Sequence, residues 1–269
     1  SAVVIMEMIA SHSHILPAVD DGSRRMEESI VMAQQYVSDG IHKVIATPHY
    51  IDDANSKIAD ENRKVVNELN NVLKAEKIDL EIYLGNEIYV SPDILEDLRS
   101  GKVSTLNNSR YVLIESAMLD IPVNIDNIIY ELCLKGYIPI IAHPERNLKV
   151  QENPNILFGL IMSGALTQIN LPSLEGRYGK ESKETAELLL SHKMVHFVGT
   201  DAHSPRTRSP KVKRSLEILR SIVDKDEFDR LTKNGEAVVG DKNISVEEPI
   251  KYEENKSLFN FLRRKISLF

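Results

Sequence analysis

Short unbroken apolar runs alternate with longer amphipathic segments along this chain, and that alternation constrains its fold more than any other feature. "VIAT" (44–47), "LEIYLGNE" (80–87), "YVLIES" (111–116), "IPIIAH" (138–143), "LTQIN" (166–170) and "HFVGTDAH" (196–203) each read as a strand. Runs of this kind suit strands covered on both faces, as in a parallel sheet. Between them, "RMEESIVMAQQYVSDG" (25–40), "SKIADENRKVVNELNNVLKAEK" (56–77), "VNIDNIIYELCLKG" (123–136) and "KESKETAELLLSHK" (180–193) space apolar residues as a helix does. Strand followed by helix, repeated about seven times, predicts an α/β fold, and closure into a barrel fits 269 residues. No internal repeat, low-complexity stretch or Gly/Pro/Ser-rich linker divides the chain. One domain spanning 1–269 is expected, ending in an amphipathic, locally basic tail, "NKSLFNFLRRKISLF" (255–269).

Composition narrows the function classes. Apolar residues make up 42% and charged residues 27%, enough to bury a full core. The net charge of −7 argues against nonspecific binding to nucleic acid or to an anionic membrane. No run approaches the roughly 18 apolar residues of a membrane span, so no stable membrane insertion is expected. No signal-like leader is expected, and the one cysteine, Cys133, excludes an internal disulfide framework. A cytoplasmic enzyme is the simplest expectation.

The chemistry-bearing residues are not scattered. Of eight histidines, His12, His14, His49, His143 and His203 fall at or just beyond predicted strand C-termini. Glu87 and Asp201 fall there too, and Glu115 lies near the end of its strand. Barrel active sites are built at that end. Residues i and i+2 of a strand share a face, so His12 and His14 can aim at one ion, and so can Asp201 and His203. Mixed imidazole and carboxylate ligands suit zinc, manganese or iron better than calcium or magnesium alone.

Each residue also has a plain structural reading. A lone H-x-H is common by chance. Asp21 in "DDGS" reads equally as a turn former or helix cap, Asp20 as the turn residue, and Ser23 as a cap for the next helix with Glu27 supporting the dipole. Glu115 can pair with a lysine. His42, His192 and His196 precede strands and read as surface or packing residues. Cys133 reads as core, and no arginine stands five residues beyond it, as a thiolate phosphatase would need. Joint placement at strand ends outweighs these separate readings and predicts a multinuclear metal site.

In that order, "HSHILPAVDDGS", "ATPHY", "GNEI", "AHPERN" and "GTDAHS" resemble the PHP (polymerase and histidinol phosphatase) superfamily. More narrowly, the chain resembles its bacterial capsule and exopolysaccharide type of manganese-dependent tyrosine-protein phosphatases, from about residue 8 to 240. The resemblance implies a distorted (βα)7, TIM-like barrel of the PHP type, with three metal ions in a cleft. Manganese is the implied metal, and zinc, iron or cobalt are alternatives. It implies that His12, His14, Glu87 and Asp201 hold the first ion; Glu87, Glu115 and His143 the second; Asp21, His49 and His203 the third. Arg146 would bind the phosphate, with Arg208 a further contact, although Arg206 is offered by the same "SPRTRS". A metal-bridging hydroxide would attack phosphorus, and Asp201 or His203 would guide the leaving-group proton. One departure stands out. Ala10-Ser11 occupies the place where relatives commonly carry an aspartate ahead of the first histidine, and loss of such support costs about 10–100-fold in metal affinity or activity.

The implied partner is a phosphotyrosine-bearing bacterial tyrosine kinase of the exopolysaccharide machinery, or that kinase's substrates. Two alternatives stay open: a small-molecule phosphomonoesterase such as a histidinol-phosphate phosphatase, and a metal-binding regulatory protein with reduced turnover. The tail reads as a terminal helix packed on the barrel. Contact with a membrane-bound kinase, a membrane surface or a second copy of the chain, as a homo-oligomer, are its other readings.

Overall fold

The structure is a computed structural model that describes residues 8–52 and 57–253. The tail at 255–269 lies outside the described residues. Among the described residues nine strands run in chain order: β1 (Ile9–Ser13), β2 (Lys43–Ala46), β3 (His49–Tyr50), β4 (Glu81–Leu84), β5 (Glu87–Tyr89), β6 (Tyr111–Glu115), β7 (Ile138–Ala142), β8 (Leu166–Asn170) and β9 (Phe197–Gly199). All pairings are parallel, in two sheets ordered β1-β2-β4 and β3-β5-β6-β7-β8-β9. The helices are α1 (Met26–Ser38), α2 (Ala59–Ala75), α3 (Ile94–Ser100), α4 (Ile125–Leu134), α5 (Leu148–Glu152), α6 (Asn155–Met162), α7 (Leu171–Leu174), α8 (Lys180–Ser191), α9 (Lys213–Ile222) and α10 (Lys225–Val239).

The two sheets are parts of one ring. The run 80–87 was expected as a single strand, but it breaks at Gly85-Asn86 into β4 and β5. There the Asn86 side chain takes over ladder duties. It donates to Pro48 O at 3.0 Å and accepts from Ser104 N at 2.8 Å. Pro48, which has no N–H to give, separates β2 from β3 in the same way. Counting β2 with β3 and β4 with β5 leaves seven staves. The seam between β9 and β1 is an isolated bridge, Ser13 to Ala202, flanked by Asp201 N to His12 O at 3.0 Å and His14 N to Ala202 O at 2.8 Å. This is the expected barrel, distorted where its ladders are interrupted.

Strand alternation divides the core. Ile9, Ile45, Leu113, Ile140, Leu166 and Phe197, one from each of six staves, pack together inside the ring. Their neighbours Val44, Val112, Ile114, Ile141, Ile169 and Val198 face outward into a larger cluster under the helices. Helix α4 contributes Ile125, Ile128, Ile129 and Leu132 at helical spacing to that layer. Helix α10 lies against β1, so close that a Cβ on Gly235 would sit 2.9 Å from Ile9 O. Cys133 is partly buried against the outer cluster. Among the described residues no helix is long and apolar enough to cross a membrane.

Two smaller expectations change. Ser23 does not cap α1; Arg25 stands at that position without a side-chain cap, although Glu27 lies in the first turn. Ser23 Oγ instead donates to Arg25 O at 3.1 Å and shares a hydrogen bond with Ser29 Oγ at 2.8 Å. The run 196–203 forms only the short strand β9, because Asp201 turns to a left-handed φ of +48°.

Candidate metal centre

The inward faces of the strands carry apolar residues at one end of the ring and ligand-type residues at the other. Leu113 and Glu115 share a face of β6, two residues apart. His12 and His14 leave β1 at that end. Glu87 opens β5 and His49 opens β3, directly beyond the interruptions at Gly85-Asn86 and Thr47-Pro48. His143 follows β7 and Asp201 follows β9, both with left-handed backbone, φ +36° and +48°.

Three groups of ligand atoms result, each with its members within 4.8 Å of one another: His12, His14, Glu87, Asp201; His14, Asp21, His49, His203; and His49, Glu87, Glu115. Glu87 is the hub. Its Oε2 lies 3.1 Å from His12 Nε2, 3.2 Å from His14 Nε2 and 3.1 Å from His49 Nδ1. Its Oε1 accepts from His143 Nε2 at 2.7 Å. His143 Nε2 is 3.7 Å from Glu115 Oε2, and His49 Nδ1 is 2.9 Å from Glu115 Oε1. The other side of His49 meets Asp21 at 3.5 Å, and His203 Nε2 meets the same Asp21 oxygen at 3.3 Å. Asp21 is the exposed lip of the cluster, its side chain 65% accessible.

All nine sequence-predicted ligand residues are therefore brought together, but two details differ from expectation. His14 and His49 each border two groups rather than one. Asp201 and His203 touch, with His203 Nδ1 3.4 Å from Asp201 Oδ1, but they fall in different groups. Asp201 turns to His12 and His14, and His203 turns to Asp21, because the strand has already ended at Gly199.

The donor chemistry fits cations. Glu87 Oε2, His49 Nδ1 and His203 Nε2 are buried and make no hydrogen bond among the described residues, although other ligand atoms lie within 3.5 Å. These buried polar atoms converge without hydrogen bonds that satisfy them, which is costly unless a positive charge fills the gap. The cluster's electrostatics say the same. Burial opposes charge on His143, but hydrogen bonding to Glu87 and the nearby carboxylates raise its pKa to about 9. Burial likewise opposes charge on His14 and His49, yet Asp20 and Glu115 respectively lift them above the ordinary histidine range. Burial would raise Glu87 and Asp201, but the surrounding histidines, led by His12, hold both well below the carboxylate range.

Positive side chains cover one flank. Asp201 Oδ2 accepts from Arg146 Nη1 at 3.0 Å, Arg208 Nη2 at 2.6 Å and Asn170 Nδ2 at 2.7 Å. Arg146 lies over the ring of Tyr178, 4.2 Å from its centroid. Neither arginine is a solvated loop residue, their side chains being 19% and 30% accessible, whereas Arg206 faces solvent. Both arginines line a cleft of about 520 Å³ together with Asp21, His49, Glu115 and His143. Val19, Ile51, Tyr89 and Met118 give the same cleft an apolar wall.

Sequence reasoning missed several supporting residues. Asp20 does shape its turn, accepting from Gly22 N at 3.0 Å. It also accepts from His14 Nδ1 at 2.6 Å and from His49 N at 3.0 Å. Gln168 reaches His12 Nδ1 at 3.0 Å, and Asn170 reaches Asp201. Their signal was present, since Gln168 and Asn170 are the alternate residues of "LTQIN" and so share a face. Glu145 is buried, accepting from Asn170 N at 3.0 Å and Ser173 Oγ at 2.6 Å, and burial raises its pKa.

A family model described as capsular polysaccharide synthesis, CpsB/CapC, matches residues 8–240. Tyrosine-protein phosphatase YwqE of Bacillus subtilis is 37% identical over 254 residues, covering 94% of this chain and 100% of that protein. The putative tyrosine-protein phosphatase CapC of Staphylococcus aureus is 34% identical over 255 residues, covering 95% and 100%. A solved structure from work on YwqE of B. subtilis and CpsB of Streptococcus pneumoniae, described as unique metal-dependent tyrosine phosphatases, superposes with a TM-score of 0.89. It shares 36% identity and covers 92% of this chain and all of that one, 100%.

Proposed function

The chain belongs to the CpsB/CapC family of capsular polysaccharide synthesis, and from that premise we propose that it is a metal-dependent protein-tyrosine phosphatase. The observation that carries the reading is the convergence of five histidines and four carboxylates on one cleft flanked by two arginines. In this reading His12, His14, Glu87 and Asp201 hold a first ion, and Glu87, Glu115 and His143 a second, with His49 within reach. Asp21, His49 and His203 hold a third. Manganese is the proposed metal, with zinc, iron or cobalt able to use the same donors. Bound ions supply Lewis acidity, which polarises the phosphoryl group and makes water a nucleophile at neutral pH.

The chain's own residues do the rest. Arg146 and Arg208 present guanidinium N–H groups to the phosphoryl oxygens, while their grip on Asp201 keeps them in place. The ring of Tyr178 braces Arg146 from behind. Val19, Ile51, Tyr89 and Met118 offer an apolar wall to the aromatic ring of the substrate.

Leaving-group chemistry favours phosphotyrosine over an alkyl phosphate. Of the two groups offered by the sequence as proton guides, Asp201 is held ionised by its three donors. Burial and the nearby His14 push His203 down to about 4 in metal-free protein, and as an ion ligand it would offer a lone pair rather than a proton. A tyrosyl oxygen, with a phenol pKa of about 10, leaves with less assistance than an alkoxide needs.

The proposed partner is a tyrosine kinase of the exopolysaccharide machinery, met in the cytoplasm. Manganese-loaded protein is expected to hydrolyse a phosphotyrosine peptide and p-nitrophenyl phosphate, and to lose both activities on chelation. No hydrolysis of either by the loaded protein would overturn the reading. Rapid turnover of histidinol phosphate with none of the peptide would replace it with the small-molecule alternative.

A further inference from the structure

His12 has no carboxylate behind it. Its Nδ1 meets the side-chain amide of Gln168 at 3.0 Å, and Gln168 Oε1 accepts from Ser11 Oγ at 2.6 Å. All three residues are fully or almost fully buried. Two features of the backbone make the chain of contacts possible. The β1 ladder shifts register between Ala10 and Ser13, so the adjacent residues Ser11 and His12 both reach the same amide. Strand β9 lies between β8 and β1, and Gln168 must cross it. It crosses at Gly199, where a Cβ would sit 2.7 Å from Gln168 Nε2 and 3.1 Å from His12 Cβ. Gly199 is needed there for space.

The proton arrangement gives this relay a function. With Gln168 Nε2 donating to His12 Nδ1, the imidazole carries its proton on Nε2, the atom that faces Glu87 and His14. An imidazole that gives Nε2 to a cation must carry its proton on Nδ1 and needs an acceptor there. Gln168 supplies one when its amide is reversed about the terminal torsion, presenting Oε1 to His12 and the NH₂ group to Ser11. A serine hydroxyl donates or accepts, so it satisfies the amide in either orientation.

We propose that Gln168, braced by Ser11, is the positioning residue that fixes the tautomer and aim of His12 for its ion. Ser11 thus has a role at the place where the first histidine lacks an acidic neighbour. A neutral amide orients the ring without adding a negative charge to a cluster that already holds Asp20, Asp21, Glu87, Glu115 and Asp201. The proposal rests on the metal-centre reading above.

Manganese binding by equilibrium dialysis, with elemental analysis of ions per chain, tests it without recourse to turnover. Gln168→Leu fills the same space but accepts no proton, and about a 10–100-fold loss of affinity at one ion is expected, the other ions being retained. Gln168→Glu, which can accept from both Nδ1–H and Ser11 Oγ, is expected to bind at least as tightly as the parent. Ser11→Ala is expected to lose less than Gln168→Leu. Parent-like affinity for every ion in Gln168→Leu would overturn the positioning role, as would a folded Gln168→Glu that binds as weakly as Gln168→Leu. Parent protein that takes up no manganese would instead overturn the metal-centre reading itself, so the two failures are distinguishable.

Discussion

His143 and Asp201 adopt left-handed backbone conformations that non-glycine residues rarely take. Each costs on the order of 1–3 kcal/mol and persists only where the surroundings over-determine it. Here the surroundings are Glu87 for His143, and Arg146, Arg208 and Asn170 for Asp201. In metal-free protein, protons on His14, His49 and His143 would take the place of cations. Histidines raised above their ordinary pKa, His143 to about 9, add stability that is full below about 6.5 and fades as pH rises through the folded value. The lowered carboxylates Glu87 and Asp201 act in the opposite sense, adding stability above their ordinary range that is lost in acid. A cation must displace the histidine protons. Manganese affinity is therefore expected to tighten by about tenfold or more between pH 6.5 and 8.5, with proton release on binding. Calorimetry in buffers of different ionisation enthalpy measures both, and a pH-independent affinity without proton release would contradict this.

At the scale of elements, the turn between β1 and α1 is as constrained as any strand. A Cβ on Gly22 would fall 2.2 Å from His14 O and 2.5 Å from His14 Cβ, and backbone cannot move aside cheaply. Gly22→Ala is expected to cost about 1–3 kcal/mol, read as a fall in Tm of ~2–4 °C per kcal/mol. An unchanged Tm would show that the turn relaxes. Most of the strand order was legible in the sequence because strands buried on both faces are written as apolar runs. The breaks inside 80–87 and after 196–199 were not legible. They depend on Asn86 finding Pro48 O and Ser104 N, and on Asp201 being held by distant arginines. The ligands were readable because histidine and carboxylate at strand ends have few other uses. Asp20 was misjudged as a turn former alone because a turn aspartate looks the same whether or not its second oxygen grips a histidine. Gln168 was passed over because amides carry no charge to draw attention, although its alternation with Asn170 placed both on the inner face.

For the whole molecule, closure of the ring is what turns six separated sequence segments, 12–21, 49, 87, 115, 143–146 and 201–208, into one site. The β9–β1 seam is a single bridge with flanking hydrogen bonds, and it carries Asp201 on one side and His12 and His14 on the other. Cations shared across that seam would tie its two edges together. The net charge of −7 leaves the acidic cleft dependent on Arg146 and Arg208 to admit a phosphorylated side chain. The central claim, that catalysis depends on a three-ion centre built from these nine residues, is tested most directly by titrating metal-free protein with manganese while following phosphotyrosine-peptide hydrolysis and bound ions per chain. The account predicts no hydrolysis without metal and activity that rises until the third ion is bound. Full activity in the metal-free protein, or with a single ion bound, would contradict it.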